Sequence, residues 1–98
     1  MSVTLSVELG GRHVPLRDCD WVLWGPCGCP LGVTVGATND GGIMQASEDA
    51  AWKAFYDRKR DIERAPRRGE HLELMTHECY CAEVSDRMLA RCEHGSPA

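Results

Sequence analysis

The sequence predicts a small α+β fold: antiparallel β-hairpins packed on one long amphipathic helix. Three observations predict it. Val3, Leu5, Val7 and Leu9 alternate with polar residues, the period of a half-buried strand. Gly10-Gly11 and the run Gly25 to Pro30 punctuate the strand-like segments, as hairpin turns do. From Ser47 to about Ala65, Trp52, Phe55, Lys59 and Ile62 fall on one helical face with Ala51 beside them.

The elements follow in order. After the first strand, Val14 and Leu16 suggest a short return strand, which Pro15 confines to an edge. Trp21 to Trp24 is an apolar run suited to a strand. It leads into Gly25-Pro26-Cys27-Gly28-Cys29-Pro30. Leu31 to Ala37 follows, with Val33 and Val35 on one face. Pairing of the two runs puts Cys27 and Cys29 at a hairpin tip. Thr38 to Gln45 contains Asn39-Asp40-Gly41-Gly42 and reads as a loop. Ser47 caps the long helix, and Glu48 and Asp49 occupy its first turn. Pro66 is expected to stop it, because the residue before proline avoids the helical region. His71 to Met75 alternates again. Thr76 to Val84 suits either a continuing strand or a short helix capped by Thr76. Met88 to Arg91 reads as a last short strand. Residues 1–95 form one domain on this reading, and 96–98 a mobile tail.

A chain of 98 residues buries only a modest share of its surface, so a cross-link helps it. Hydrophobic residues make up 43%, enough for a globular core and too many for a disordered tail. The net charge of −4 is unevenly spread. Residues 53–68 carry seven bases against three acids, between two flanks that each carry two bases against six acids. Residues 1–14 lack the basic start and apolar run of a signal peptide. No stretch has the length of a membrane-spanning helix. The expected compartment is therefore cytoplasmic, where disulfides are disfavoured. The six cysteines then point to thiol or metal chemistry.

Cys27 and Cys29 stand one residue apart, and Cys92 and His94 repeat that spacing. Three thiolates and one imidazole make a tetrahedral Cys3His zinc site. Gly28 can take a positive φ without a Cβ clash, which lets a very short turn aim both thiols at one point. Sixty-two residues separate Cys29 from Cys92. By analogy with a covalent link, closing that loop removes roughly 4 kcal/mol of unfolded-chain entropy. The fold is thus expected to be zinc-stapled. The usual zinc pattern leaves two to four residues between paired ligands, so this spacing is unusual. A rival set exists. His77, Cys79 and Cys81 share one side of a strand, and could join Cys27 and Cys29. Cys19 has no partner at metal spacing and reads as core.

Other chemistry is thinner. Lys53, Arg58, Lys59, Arg60, Arg64, Arg67 and Arg68 lie on or just after the helix. Arg60, Arg64, Arg67 and Arg68 could contact nucleic-acid phosphates, although basic residues there also offset the helix dipole. His77-Glu78-Cys79 matches half a deaminase signature, but the Pro-Cys-x-x-Cys half is missing. A Cys27–Cys29 thiol-redox pair is the remaining alternative. Four soft ligands would close the zinc site, which makes it structural rather than catalytic. The reading is of a non-enzymatic interaction module with structural zinc, binding a partner protein.

The segments CGCPLGVTVG, SEDAAWKAFYDRKRDIE, RRGEHLELMTHE and RCEHG resemble small uncharacterised zinc-binding-like proteins of actinobacteria and the phages that infect them. The resemblance spans roughly residues 21–95. Nine arginines against two lysines suit a GC-rich genome. The resemblance implies Cys27, Cys29, Cys92 and His94 as motif positions, with Cys79 and Cys81 as departures from the pattern. It implies a host or phage protein as the partner, and no activity.

Overall fold

A computed structural model describes residues 6–38 and 42–89. Strands β1 (Ser6–Leu9) and β2 (Arg12–Pro15) form one antiparallel hairpin. A short 3-10 turn at Leu16–Asp18 feeds β3 (Cys19–Trp24). β3 pairs with β4 (Pro30–Val35) on one side and β5 (His71–Thr76) on the other. The three-stranded order is β4-β3-β5, all antiparallel. β3 is central and covered on both faces, which is why apolar residues occupy both.

Each face of this sheet has its own cover. Trp21, Leu23 and Leu72 point to the side carrying helices α1 (Glu48–Phe55) and α2 (Lys59–Arg67). There they meet Ala51, Trp52 and Ala65, with Phe55 and Ile62 at the rim. Val22 and Met75 point the other way. They meet Val84, Tyr80 and Met88 of the segment holding α3 (His77–Glu83) and α4 (Ser85–Leu89). The chain between β4 and α1 is tied down by Gln45. Trp21 Nε1 donates to the Gln45 carbonyl at 2.8 Å, and Gln45 Nε2 donates to Val35 O at 2.6 Å. Gly36 is required where that strap meets the start of β3. A Cβ there would lie 2.5 Å from the Leu16 carbonyl oxygen.

The single long helix is not formed. α1 ends at Phe55, Tyr56 is extended (φ −132°, ψ 130°), and α2 begins after Arg58. The physical reason lies in the face. An unbroken helix would hold Lys59 between Phe55 and Ile62 against the sheet. The break leaves Lys59 exposed, while Ile62 and Ala65 still reach the core. Tyr56 is held off the helix by its hydroxyl, which donates to the buried carboxylate of Glu70. Arg68 Nε donates to the other Glu70 oxygen at 2.8 Å. Pro66 does not stop α2 but lies inside its last turn, where the helix forgoes the one bond to the Ile62 carbonyl.

The expected strand over Met88 to Arg91 is also corrected. Residues 85–89 are helical. Val84 and Met88, four apart, pack into the same cluster, so the helical period governs there. Thr76 resolves the ambiguous stretch as a helix: its hydroxyl accepts from Cys79 N–H at 3.1 Å. Val3, Leu5, the Asn39-Asp40-Gly41 tip, Cys92, His94 and the tail lie outside the described residues.

Candidate metal centre

The Cys-Gly-Cys segment forms the tip of the β3–β4 hairpin. Gly25 N–H donates to Cys29 O at 2.8 Å, and Gly28 N–H donates to Gly25 O at 3.0 Å. Gly28 has φ +84°. A side chain there would meet nothing within 4 Å, so backbone strain rather than crowding makes glycine the suitable residue. Cys27 is exposed and Cys29 half-buried. Both thiols therefore stand at an accessible turn.

The turn has a partner that the sequence did not reveal. Arg87, in α4, donates from Nη2 to the Gly28 carbonyl at 2.7 Å. Its guanidinium also lies over the Trp24 ring, 5.2 Å from the centroid. Trp24 is fixed in turn by its Nε1 bond to Glu73 at 3.0 Å and by stacking on His71. Trp24 is thus a half-buried platform beside the turn, whereas Trp21 is core. No spacing in the chain signals the Arg87–Gly28 bond, which joins residues 59 apart.

Cys92 and His94 follow α4. Leu89, its last residue, precedes Cys92 by three residues, a reach of at most about 10 Å. By residue type, Cys27, Cys29, Cys92 and His94 are the donors of a Cys3His zinc site. Three thiolates with one neutral imidazole around Zn²⁺ leave a net charge of −1. Arg87 at the same turn supplies a compensating cation.

The rival ligand set is not assembled. β5 runs antiparallel to β3, with Trp24 opposite His71 and Cys19 opposite Thr76. α3 therefore starts at the Cys19 end of β3, while the cysteine turn leaves the Trp24 end. Five strand steps of that kind span about 17 Å. Among the described residues no three or more His, Cys, Asp or Glu side chains are grouped to hold a metal ion. Nor do His77, Cys79 and Cys81 share one strand face, because they lie on a helix. His77 Nδ1 lies 2.6 Å from Asp20 Oδ2, and His77 Nε2 lies 3.4 Å from Cys81 Sγ. Cys79 turns away, and its thiol donates to Glu83 Oε2 at 3.2 Å. That carboxylate, helped by partial desolvation, pushes the Cys79 thiol above the ordinary thiol range. Cys19 is fully buried, and burial followed by the neighbouring Asp18 and Asp20 raises its pKa too.

The basic group divides. Arg68 is held at the Tyr56–Glu70 pair, 5.9 Å over the Tyr56 ring. Arg60, Arg64 and Arg67 are exposed on α2, and their spacing puts them on one face. No helix among the described residues is long and apolar enough to cross a membrane.

No family model, curated protein or solved structure matches the chain.

Proposed function

We propose that the chain is a non-enzymatic interaction module. A structural zinc ion on Cys27, Cys29, Cys92 and His94 fixes its carboxyl-terminal segment to the β3–β4 turn. A partner protein binds along β4. The observation that carries this reading is a row of exposed apolar side chains leading away from the turn. Leu31, Val33 and Val35 are 51%, 37% and 41% exposed. Their spacing of two puts all three on one face. Ile43 and Met44, 48% and 47% exposed, extend the row past Val35 through the Ala37–Met44 bridge. β4 is an edge strand among the described residues, and residues 30–38 contain no charge. Edge strands that avoid partners usually carry charge. An uncharged, apolar edge suits addition of a partner strand.

Substitution tests this directly. Val33→Asp should abolish capture of one defined protein from host lysate, with unchanged zinc content and far-UV circular dichroism. Equal capture by wild type and V33D would remove β4 as the binding surface. Native mass spectrometry before and after chelation should show one zinc per chain. Absence of metal in a reduced sample would remove the staple.

The second reading is nucleic-acid binding by α2. It draws on Arg60, Arg64 and Arg67, which form no ion pair among the described residues. Such binding must weaken steeply with salt. An affinity that is flat between low and moderate salt dismisses it.

A further inference from the structure

At the opposite end of the sheet from the cysteine turn, three groups stand in series from core to solvent. Asp20, on β3, is 6% exposed. Its Oδ2 lies 2.6 Å from His77 Nδ1, and His77 Nε2 lies 3.4 Å from Cys81 Sγ. The fold builds this series from distant pieces. Cys19–Thr76 pairing sets the first residue of α3 beside Asp20. The i, i+4 spacing then stacks Cys81 beside His77. The imidazole plane is held against Tyr80, with ring centroids 6.1 Å apart. In the neutral imidazole whose Nδ1 donates to the Asp20 carboxylate, Nε2 turns its lone pair to the thiol. Nucleophile, base and a third group that orients the base are the signature of an activated side chain.

We infer that Cys81 is a nucleophilic thiol that takes up an acyl group from a thioester, with His77 as its base and Asp20 as a positioning residue. Two donors, Nε2 and Sγ, fall short of the three or four protein ligands that zinc sites use. A nucleophile and base need only these three groups. Thioester exchange suits a site of this kind because it needs no oxidant. The Cys81 proton passes to Nε2 as Sγ bonds to the acyl carbon. The bond from that carbon to the donor sulfur then breaks, and the departing thiolate takes the proton from His77. The products are S-acyl Cys81 and the donor's free thiol. A groove of about 500 Å³ borders His77, and Cys81, which does not line it, is exposed, so a thioester reaches Sγ from solvent. Arg12, Arg17, Asp18 and Glu78 line the groove with balanced charge, and Leu9 and Val14 supply apolar wall.

The neighbouring cysteine provides an internal control. Cys79 donates to Glu83, and an acceptor carboxylate holds the proton on sulfur. The site is independent of the zinc reading, since it shares no residue with Cys27, Cys29, Cys92 and His94.

The test treats the full chain at neutral pH with the acetyl thioester of N-acetylcysteamine and locates acetyl groups by peptide mass spectrometry. Cys81 should be acetylated first. His77→Gln should slow it about 100-fold, within the range a general base contributes, and Asp20→Asn should slow it in the same direction. His77 is 64% exposed, so H77Q leaves the core untouched. Above the ordinary thiol range the base becomes redundant. There wild type, H77Q and D20N should react alike, whereas a merely structural defect in D20N would persist. Acetylation of Cys79 or Cys27 as fast as Cys81, or an unslowed H77Q, overturns the inference.

Discussion

The pairs Cys27–Cys29 and Cys79–Cys81 have identical spacing but lie in different backbone conformations. The first spans a turn in which Gly28 takes φ +84°, and both thiols stand at one hairpin tip. The second lies on α3, where successive residues rotate by about 100° and residues two apart lie on opposed sides. Cys79 therefore goes to Glu83 and Cys81 to His77. The comparison teaches that a Cys-x-Cys spacing has no chemistry of its own. The backbone between the thiols decides whether they act together on one ion or separately with different neighbours.

The sharpest way to break this comparison is metal content. Cys27→Ser should lose zinc, with an affinity drop beyond the 10- to 100-fold, roughly, that outer-shell losses cost. Cys79→Ser and Cys81→Ser should keep one zinc each by native mass spectrometry. Loss of metal in C81S would merge the two pairs into one site. A second test acts on the intervening residue. Gly28→Ala forces a side chain into the left-handed region and should cost about 1–2 kcal/mol by denaturant unfolding. The matching change in the helix, Ala82→Gly, should cost about 1 kcal/mol through backbone entropy, with no change in zinc affinity. Equal effects of G28A and A82G on zinc affinity would deny the turn its special role. The smallest effect concerns Cys79. Its pKa is raised, chiefly by Glu83, so its thiolate forms only at higher pH. Glu83→Gln removes that acceptor charge, and the alkylation profile of Cys79 should move to lower pH. A profile that stays in place would show that Glu83 does not govern this thiol.

Local pattern was legible where one period ruled. The alternation around Val7 and Leu9 gave a strand, and the glycine-rich turn gave a hairpin. Ser47 caps α1 as its residue type suggests, its hydroxyl accepting from Ala50 N–H at 3.3 Å. The sequence suggests one long helix because its apolar face continues in register across Tyr56 to Arg58. What breaks it is the Tyr56–Glu70–Arg68 contact, and no window of sequence contains that information. The candidate site was legible in the same uneven way. Cys27, Cys29, Cys92 and His94 stand out by ligand type and spacing. Arg87 and Asp20 do not, because their partners lie 59 and 57 residues away.

The sequence by itself determined the α+β class, the cysteine hairpin, the cap at Ser47 and the distribution of charge. These depend on periods, turn residues and side-chain chemistry, all local quantities. Only the tertiary structure decided that the helix divides and that α4 returns to the turn through Arg87. It also decided that Asp20, His77 and Cys81 stand in line while β4 keeps an apolar edge. Each of these depends on strand register. Antiparallel pairing of β5 with β3 sends α3 to one end of the sheet and leaves the cysteine turn at the other.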